Sequence, residues 1–413
     1  MKTYIFMTGG IEGISGAIIY LRNKKMYLEE NGWKVVVLYH NEGEVYVSDL
    51  DDCNLRFDFL KRYPSCYGRK RLNTYIKKLV DACGYKDDME EYYIESHNDR
   101  LACWGEVLGK EINGVHIINI LRENPLLYTK EYYRFLKFKL DRKEFFGMSP
   151  NTVQLFMKDY EEVSAGYEYQ LKTPCDNTVA DIESNLLNCF DKSADYHICT
   201  VTRLEKPYIP PMVASIIKFA NQYQKKIQVF FIAGTYHEEN FENVRKLFEG
   251  QALVKCYITG FMYPVPLKVL HKMDLAIGCA GSTLTTFYSG VPTISVDVSD
   301  FQPIGIMGLT TTNTHYRMNG EKIVPLEELI ADVLIHRVVE PKEQTPDYRH
   351  VWEEFANHME KLHQVNTLKK YYDVSRVINV YGKYKLRMFL SQIISPEFYE
   401  MLEKIKATIC RRR

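Results

Sequence analysis

The sequence lacks the signals of a membrane-spanning, secreted or nucleic-acid-binding protein. It contains no apolar run of about 18 residues that could cross a bilayer, and its first seven residues lack the long apolar core of a signal peptide. The 53 lysines and arginines balance 53 aspartates and glutamates, so no overall charge attracts nucleic acid. We therefore expect a soluble protein of the cytoplasm, or at most one that lies on a membrane.

Metal-binding cysteine patterns and the common nucleotide-binding signatures are also missing. The ten cysteines are scattered, with no C-x-x-C pair and no cysteine–histidine group at zinc spacing, which argues against zinc and favours a reducing compartment. The glycine-rich residues 8–16 match neither the fingerprint G-x-G-x-x-G nor a P-loop, because the GK[ST] ending is absent. The chain is long enough for more than one domain. Its 413 residues, 46% of them hydrophobic, predict two or three domains.

The first part of the chain alternates strand and helix patterns. Residues 4–7 form a short apolar run, the glycine-rich loop follows, residues 17–30 are amphipathic, and residues 34–39 are apolar throughout. A strand that is apolar on both faces is typical of a parallel sheet covered by helices. The same reasoning predicts strands at 92–96 and 115–120 and a helix at 130–145. This alternation predicts an α/β domain with a doubly wound sheet.

The same alternation restarts near Asp195. The predicted strands are 196–201, 227–233, 253–259 and 275–279, and the predicted helices are 211–224, 239–248 and 265–272. With the boundary in the polar stretch 173–194, we expect one domain at 1–190 and another at 191–375. From His350 the chain reads as helical, and we expect a tail at 376–413 that packs back on the first domain. Because α/β sheets bind ligands at the carboxyl ends of their strands, two facing sheets would form a site in the cleft between them.

Small residues stand where a short helix is predicted to begin, at Ala280-Gly281-Ser282-Thr283. Serine and threonine in this position can cap the helix, which is the ordinary interpretation. The alternative is a seat for phosphate, because the unpaired N–H groups and the positive end of a helix attract anions. Taken alone, the stretch favours capping.

Polar residues follow predicted strands in both halves. Arg203 and Lys206 come after the first strand of the second half, where a guanidinium beside an ammonium suits a diphosphate or forms a solvated rim. His97 and Glu123 follow two strands of the first half, where each could serve proton transfer, with an N-cap and an exposed loop charge as the alternatives. Gly10, in the glycine-rich loop, serves a tight turn or a close approach to phosphate.

Several segments, taken in their order, resemble GT-B fold glycosyltransferases of the family 4-like type from cell-surface polysaccharide pathways. The similarity spans most of residues 1–340. The resembling segments are Gly9-Gly10, Tyr20-Leu21-Arg22-Asn23-Lys24 with Leu28 and Asn31-Gly32-Trp33, Val201-Thr202-Arg203-Leu204, Tyr257-Ile258-Thr259-Gly260 with residues 267–276, and Gly290-Val291-Pro292. The resemblance implies two Rossmann-like domains that face each other across a cleft.

The resemblance also implies an activity. The implied enzyme is a bacterial hexosyltransferase that needs neither a metal nor a cofactor. It takes the sugar from a nucleotide-sugar donor, and the expected nucleotide is UDP. The donor would bind the second half, and a saccharide or lipid-linked acceptor would bind the first half. The site residues carried over are Arg203 and Lys206 for the diphosphate, Gly10 approaching it from the first half, Gly281, Ser282, Thr283 and Thr285 for phosphate or sugar, Gly260 and Phe261 near the base, and His97 as the catalytic or donor-sugar histidine.

The chain departs from the family pattern at the donor site. Many retaining members carry two glutamates eight positions apart, where this chain has Ile277 and Thr285, and no acid occurs between Asp274 and Asp297. Ribose binding must therefore differ, and both retention and inversion stay open. Two alternatives remain beside a transferase. One is a nucleotide-sugar epimerase-like enzyme, and the other is a degenerate GT-B subunit that binds a partner transferase without catalysis.

The C-terminal end carries a basic cluster. Lys404, Lys406 and the final Arg411-Arg412-Arg413 lie within the last ten residues. Each cation near an anionic leaflet is worth about 1 kcal/mol, so this cluster suits peripheral contact with the inner face of the plasma membrane. The ordinary alternative is a solvated helix end.

Overall fold

The first half of the chain forms one six-stranded sheet. This computed structural model describes residues 2–86, 91–122, 128–149, 151–171, 173–318, 322–340, 342–365 and 370–377. The strands of the first half are β1 (Lys2–Met7), β2 (Lys34–Tyr39), β3 (Leu55–Arg56), β4 (Glu91–Ser96), β5 (Val115–Ile120) and β6 (Phe145–Gly147). Its helices are α1 (Gly16–Glu30), α2 (Arg69–Cys83), α3 (Asp99–Glu111), α4 (Lys130–Asp141) and α5 (Thr152–Met157).

The second half forms another six-stranded sheet. Its strands are β8 (Tyr196–Arg203), β9 (Ile227–Gly234), β10 (Val254–Ile258), β12 (Leu275–Gly278), β13 (Thr293–Val296) and β14 (Pro303–Ile306), and the short strands β7 (Val179–Ala180) and β11 (Val265–Pro266) pair beside it. The helices are α6 (Ile209–Tyr223), α7 (Glu239–Lys246), α8 (Leu267–Leu270), α9 (Gly281–Tyr288), α10 (Leu326–Leu334) and α11 (Arg349–Val365). The two predicted sheets are therefore confirmed.

Both sheets have the same strand order. The first runs β3-β2-β1-β4-β5-β6 and the second runs β10-β9-β8-β12-β13-β14. All neighbours pair in parallel except β13 and β14, which are antiparallel. The order reverses between β1 and β4 in one sheet and between β8 and β12 in the other. We call these two places the first and second switch points, because a doubly wound sheet binds ligands at such a reversal.

Apolar strands explain why the sheets lie between helices. All residues of β5 and β9 are buried, as expected of central parallel strands that are covered on both faces. The face of the second sheet that carries Ile198 and Val229 packs on α6 and α10, which contribute Ile216 and Ile330. Helices cover both faces of each sheet, so only the ends of the strands stay uncovered. The polar loops lie at these strand ends.

Helix α11 returns to the first half of the chain. The ring of Trp352 stacks on that of Tyr27 at 4.0 Å between centroids, and Phe355 and Met359 join the core that contains Tyr4. Beyond this helix, the Ser65 hydroxyl donates to the carbonyl oxygen of Val377 at 3.1 Å. Helix α11 and residues 370–377 thus pack on the first half.

Three sequence predictions of secondary structure are wrong in detail. The helix predicted at 130–145 ends at Asp141, because Lys143 adopts a φ of 57° and the N–H of Glu144 bonds back to Lys139, which ends the helix before β6. The helix predicted at 265–272 begins only at Leu267, since residues 265–266 pair with β7. Residues 370–373 are not helical, and residues 378–413 lie outside the described part of the chain.

The helices of the described ranges bear on membrane crossing. None of their helices combines the length and the apolar character that crossing a bilayer requires.

Candidate functional site

The second switch point brings Arg203 close to helix α9. Arg203 is the last residue of β8, and β12, the strand that leads into α9, pairs directly with β8. The Arg203 guanidinium forms an ion pair with Glu205 at 3.2 Å and lies 5.9 Å from the centre of the Tyr236 ring. Lys206 follows in the same loop and is half-buried. Both cations therefore lie at the end of the strand that neighbours β12, and β12 leads into α9.

Helix α9 begins without a side-chain cap. Ala280, its N-cap residue, has φ 55° and ψ −134°, a conformation that is strained for any residue except glycine. The Ser282 hydroxyl donates to the Cys279 carbonyl at 2.7 Å, and the buried Thr283 hydroxyl has no partner among the described residues. The N–H groups of Gly281 and Ser282 donate to no described residue. The capping interpretation of this stretch is therefore wrong, and the described residues leave the N–H groups of Gly281 and Ser282 without an acceptor.

Main chain from the segment between the halves covers one side of this helix. A Cβ at Gly281 would overlap the carbonyl oxygen of Cys175 and lie 2.8 Å from its carbonyl carbon. One turn later the Thr285 hydroxyl donates to the Gly281 carbonyl at 2.9 Å and accepts from the N–H of Asn177 at 2.8 Å. Gly281 is thus required for the close approach of Cys175, and the roles predicted for Gly281 and Thr285 in ligand binding stay predictions.

Gly260 and Phe261 form the loop after β10. Gly260 has a φ of 85°, which glycine adopts without strain. The Phe261 ring lies over Gly234, where a Cβ would overlap it, and its centre is 5.4 Å from that of Tyr236 and 5.1 Å from that of Tyr46. An aromatic cluster therefore joins the carboxyl edge of the second sheet to the first half.

Contacts of Tyr236 join the halves near the switch points, and a contact of Asn23 joins α1 to the segment between the halves. The Tyr236 hydroxyl donates to the carbonyl oxygen of Glu12 at 3.4 Å, and a Cβ at Gly13 would overlap the Tyr236 ring. Asn23 on α1 donates to the carbonyl of Pro174 at 2.9 Å. The loops at the carboxyl edges of the two sheets therefore meet across the gap between the halves.

The glycine-rich loop holds a carboxylate that the sequence argument overlooked. A Cβ at Gly10 would overlap the carboxylate of Glu12, and a Cβ at Gly43 would lie 2.8 Å from the Glu12 Cβ. The Glu12 Oε1 accepts from Asn41 Nδ2 at 2.8 Å, while its Oε2 is buried without a partner in the described chain. An acid inside a glycine-rich loop was the available sequence signal. Because this carboxylate would repel a phosphate, it weakens the argument that Gly10 approaches one.

His97 lies at the first switch point, directly after β4. Its main-chain N–H donates to the carbonyl of Met7, the last residue of β1, at 3.1 Å. Its ring is buried, with Nε2 at 3.1 Å from Glu95 Oε1, and its Nδ1 has no partner among the described residues. Asn98 caps α3 by accepting from the N–H of Leu101, so the predicted N-cap near His97 is confirmed at Asn98.

Glu95 is the centre of a buried polar cluster that sequence reasoning missed. Its carboxylate accepts from Tyr4 at 2.6 Å, Lys24 at 2.6 Å, Tyr20 at 2.7 Å and Asn119 at 2.8 Å, besides its bond to His97. Although burial alone would raise it, the pKa of Glu95 is held well below its usual range by Lys24 and His97. Burial lowers the pKa of Lys24 to about 8, so the pair remains charged at neutral pH.

The structure distributes the predicted site residues over the two switch points and the loop after β10. Glu123 lies outside the described residues. At the first switch point lie Gly10 and His97, at the second lie Arg203, Lys206, Gly281, Ser282, Thr283 and Thr285, and in the loop after β10 lie Gly260 and Phe261.

Comparison with known proteins identifies the fold. No family model and no curated protein matches the chain. A glycosyltransferase from Rickettsia africae ESF-5 matches with a TM-score of 0.53 and 12% identity, over 89% of this chain and 99% of the other. Anabaena Alr3699/HepE in complex with UDP and glucose matches with a TM-score of 0.50 and 10% identity, over 88% and 96%. The predicted fold class is thus confirmed, and the chain has the GT-B fold of two doubly wound α/β domains.

Proposed function

We propose that the protein is a glycosyltransferase that transfers a sugar from a nucleotide-diphosphate sugar, with UDP as the nucleotide, to an acceptor held against the first half. One observation supports this most directly. Arg203 and Lys206 end β8 and begin its following loop, and the neighbouring strand β12 leads into α9, which has no side-chain cap. Cations and unpaired N–H groups are the donors that a diphosphate requires. The Anabaena protein with the same fold was solved with UDP and glucose bound.

The chemistry of the reaction fits these groups. Cleavage of the bond between the sugar and the diphosphate builds negative charge on the leaving diphosphate. Arg203, Lys206 and the N–H groups of Gly281 and Ser282 would stabilise that charge more strongly in the transition state than in the bound donor. In this proposal the cations of the chain neutralise the leaving group, and the reaction uses neither a metal nor a resident cofactor.

The acceptor side of the proposal rests on the first switch point. His97 and Glu12 each have a buried polar atom without a described partner there, and either can bind or deprotonate a hydroxyl group. The acceptor in this proposal is a saccharide or a lipid-linked saccharide of bacterial cell-surface polysaccharide synthesis. A lipid-linked acceptor would also give the basic residues near the C-terminus a peripheral role at the inner face of the plasma membrane.

Calorimetry with UDP tests the donor site. We expect UDP to bind, and Arg203→Ala to weaken binding by about tenfold to a hundredfold, because a hydrogen bond to a charged group contributes about 1.5–3 kcal/mol. Arg245→Ala is the matched control, since this exposed arginine lies on α7 and pairs with Glu242 on the same helix. Incubation with UDP-, GDP- and ADP-sugars then detects turnover. Absence of binding by every nucleotide, or equal binding by the two variants, would refute the proposal.

The same measurements separate the two alternatives. A nucleotide-sugar epimerase-like enzyme would convert the donor without an acceptor, which product analysis would reveal. A degenerate subunit would bind no nucleotide and would associate with a partner transferase instead. The absence of acids between Asp274 and Asp297 and the contact of Cys175 with Gly281 are the observations that favour this second alternative.

A further inference from the structure

We propose that Glu95 is a positioning residue for His97, which it fixes as the Nε2–H tautomer so that Nδ1 accepts a hydrogen bond from a substrate hydroxyl. The inference rests on the proposed function, because that function supplies the hydroxyl-bearing ligand. It assigns a chemical class to the partner of His97. Phosphate oxygens only accept hydrogen bonds, whereas sugar hydroxyls can donate them.

The tautomer follows from the surroundings of Glu95. An ionised carboxylate only accepts hydrogen bonds, so the His97 Nε2 at 3.1 Å must carry the proton. The carboxylate stays ionised because the Lys24 ammonium lies 2.6 Å from its Oε2 and three neutral groups also donate to it. With Nε2 protonated, Nδ1 of a neutral ring is a lone-pair acceptor, and the described chain offers it no donor.

The His97 ring also has little freedom to turn. Its main chain is fixed to the Met7 carbonyl, and its ring lies 5.8 Å from Tyr20, edge on, and 6.0 Å from Phe6. The side chain is only 4% exposed. A ring locked in this way presents Nδ1 in one direction at the end of β4, which is the end at which the doubly wound sheet binds its ligand.

A second buried pair in the same half provides the contrast. His116 Nδ1 lies 2.7 Å from Glu106 Oε2, and Lys139 pairs with the same oxygen at 2.7 Å. There, however, Nε2 of the histidine bonds to the Ser96 hydroxyl at 3.0 Å, so both ring nitrogens have partners. Both ring nitrogens of His116 thus bond to groups of the protein, whereas Nδ1 of His97 is left for a ligand.

Nitrogen NMR of the histidine rings tests the tautomer directly. In the full-length protein labelled with ¹⁵N-histidine, His97 is assigned by the loss of its signals in His97→Asn. We expect a protonated Nε2 and an unprotonated Nδ1. In Lys24→Met/Glu95→Gln, which removes both charges and avoids an unpaired buried lysine, we expect a mixture of tautomers and at least a tenfold lower kcat for sugar transfer. UDP affinity should be unchanged, because Arg203 is untouched.

Lys139→Met/Glu106→Gln is the matched control, since it removes the same two charges around His116, and it should leave kcat unchanged. An Nδ1–H tautomer in the wild-type protein would overturn the inference, as would an unchanged tautomer and kcat in Lys24→Met/Glu95→Gln.

The proposed function can fail independently of this inference. If no nucleotide binds while His97 shows the expected tautomer and its loss in the variant, the positioning by Glu95 stands and the transferase assignment falls.

Discussion

At the scale of single residues, the start of α9 combines strain with close packing. Ala280 occupies a conformation that favours glycine, and its N–H donates to the carbonyl of Thr314 at 2.6 Å. Gly281, next to it, lies against the main chain of Cys175. Strained residues persist only where their surroundings hold them, and they concentrate at binding sites. The geometry therefore agrees with a site at this turn, while the contact with Cys175 accounts for glycine at 281 without a ligand.

Gly281→Ala tests that contact. The new methyl group would overlap the Cys175 carbonyl, and because main chain cannot rotate away as a side chain can, we expect the free energy of unfolding to fall by about 1–3 kcal/mol. Urea denaturation followed by circular dichroism measures the change. Gly16→Ala is the control, since Gly16 is also the first residue of a helix and a Cβ there meets nothing within 4 Å. Equal stability of the two variants would show that Cys175 does not press on Gly281.

Some of the site could be predicted from the sequence. Arg203 is the last residue of a strand, and His97 and the turn at Ala280 come just after strands, so the strand pattern predicted their location at the carboxyl ends of the strands. Glu95 and Glu12 could not be found in this way. The partners of Glu95 come from three other elements, and Tyr4 is 91 residues away in the chain. Buried polar clusters depend on such long-range pairing, which local sequence patterns do not encode.

At the scale of elements, the strands were more predictable than the helix ends. The apolar runs at 34–39 and 115–120 coincide with β2 and β5. The end of α4 was missed because Phe145 and Phe146 continue the apolar pattern, although they lie in a buried strand. Strand β11 was missed because its partner, β7, lies 86 residues earlier in the register Val265–Val179. Local periodicity therefore identified the elements whose burial is continuous and missed those formed by distant partners.

The Phe355 side chain on helix α11 packs in the core of the first half. Phe355 is 3% exposed, packs near Tyr4 and Tyr27, and lies 4.3 Å below the Lys24 ammonium. We expect Phe355→Ala to lower the free energy of unfolding by about 3–5 kcal/mol, because it leaves a cavity between α11 and the first sheet. Urea denaturation measures the loss. Asn357→Ala, an exposed position on the same helix, serves as the control. A small and equal effect of both variants would mean that α11 does not pack on the first half.

At the scale of the whole molecule, buried histidines make stability depend on pH. Burial, together with the nearby Lys139 charge, lowers the pKa of His116 to about 4, whereas the unfolded value is 6.5. Burial also lowers the pKa values of His40 and His358 to about 4. All three pack in the first half of the chain or on the helix that covers it. The folded state of that half therefore requires these three histidines to be neutral.

The sign of the effect follows from proton binding. Between pH 6.5 and pH 4 the unfolded chain binds protons at these histidines and the folded chain does not, so stability is complete above pH 6.5 and falls as the pH decreases. The lowered pKa of His116 corresponds to about 3 kcal/mol, lost by pH 4. Glu106, whose pKa is about 2 because Lys139 and His116 outweigh burial, adds a further loss below pH 4.5.

Urea denaturation at pH 7, 6, 5 and 4 measures this dependence. We expect the free energy of unfolding of the wild-type protein to decrease at each step, and we expect His116→Gln to show a decrease that is smaller by about 3 kcal/mol over the whole range, because its position no longer titrates. His336→Gln replaces an exposed histidine and should follow the wild-type curve. Parallel curves for His116→Gln and the wild-type protein would show that His116 is protonated equally in the folded and the unfolded protein. The imidazole of His116 beside Glu106 would then not be neutral in the folded protein.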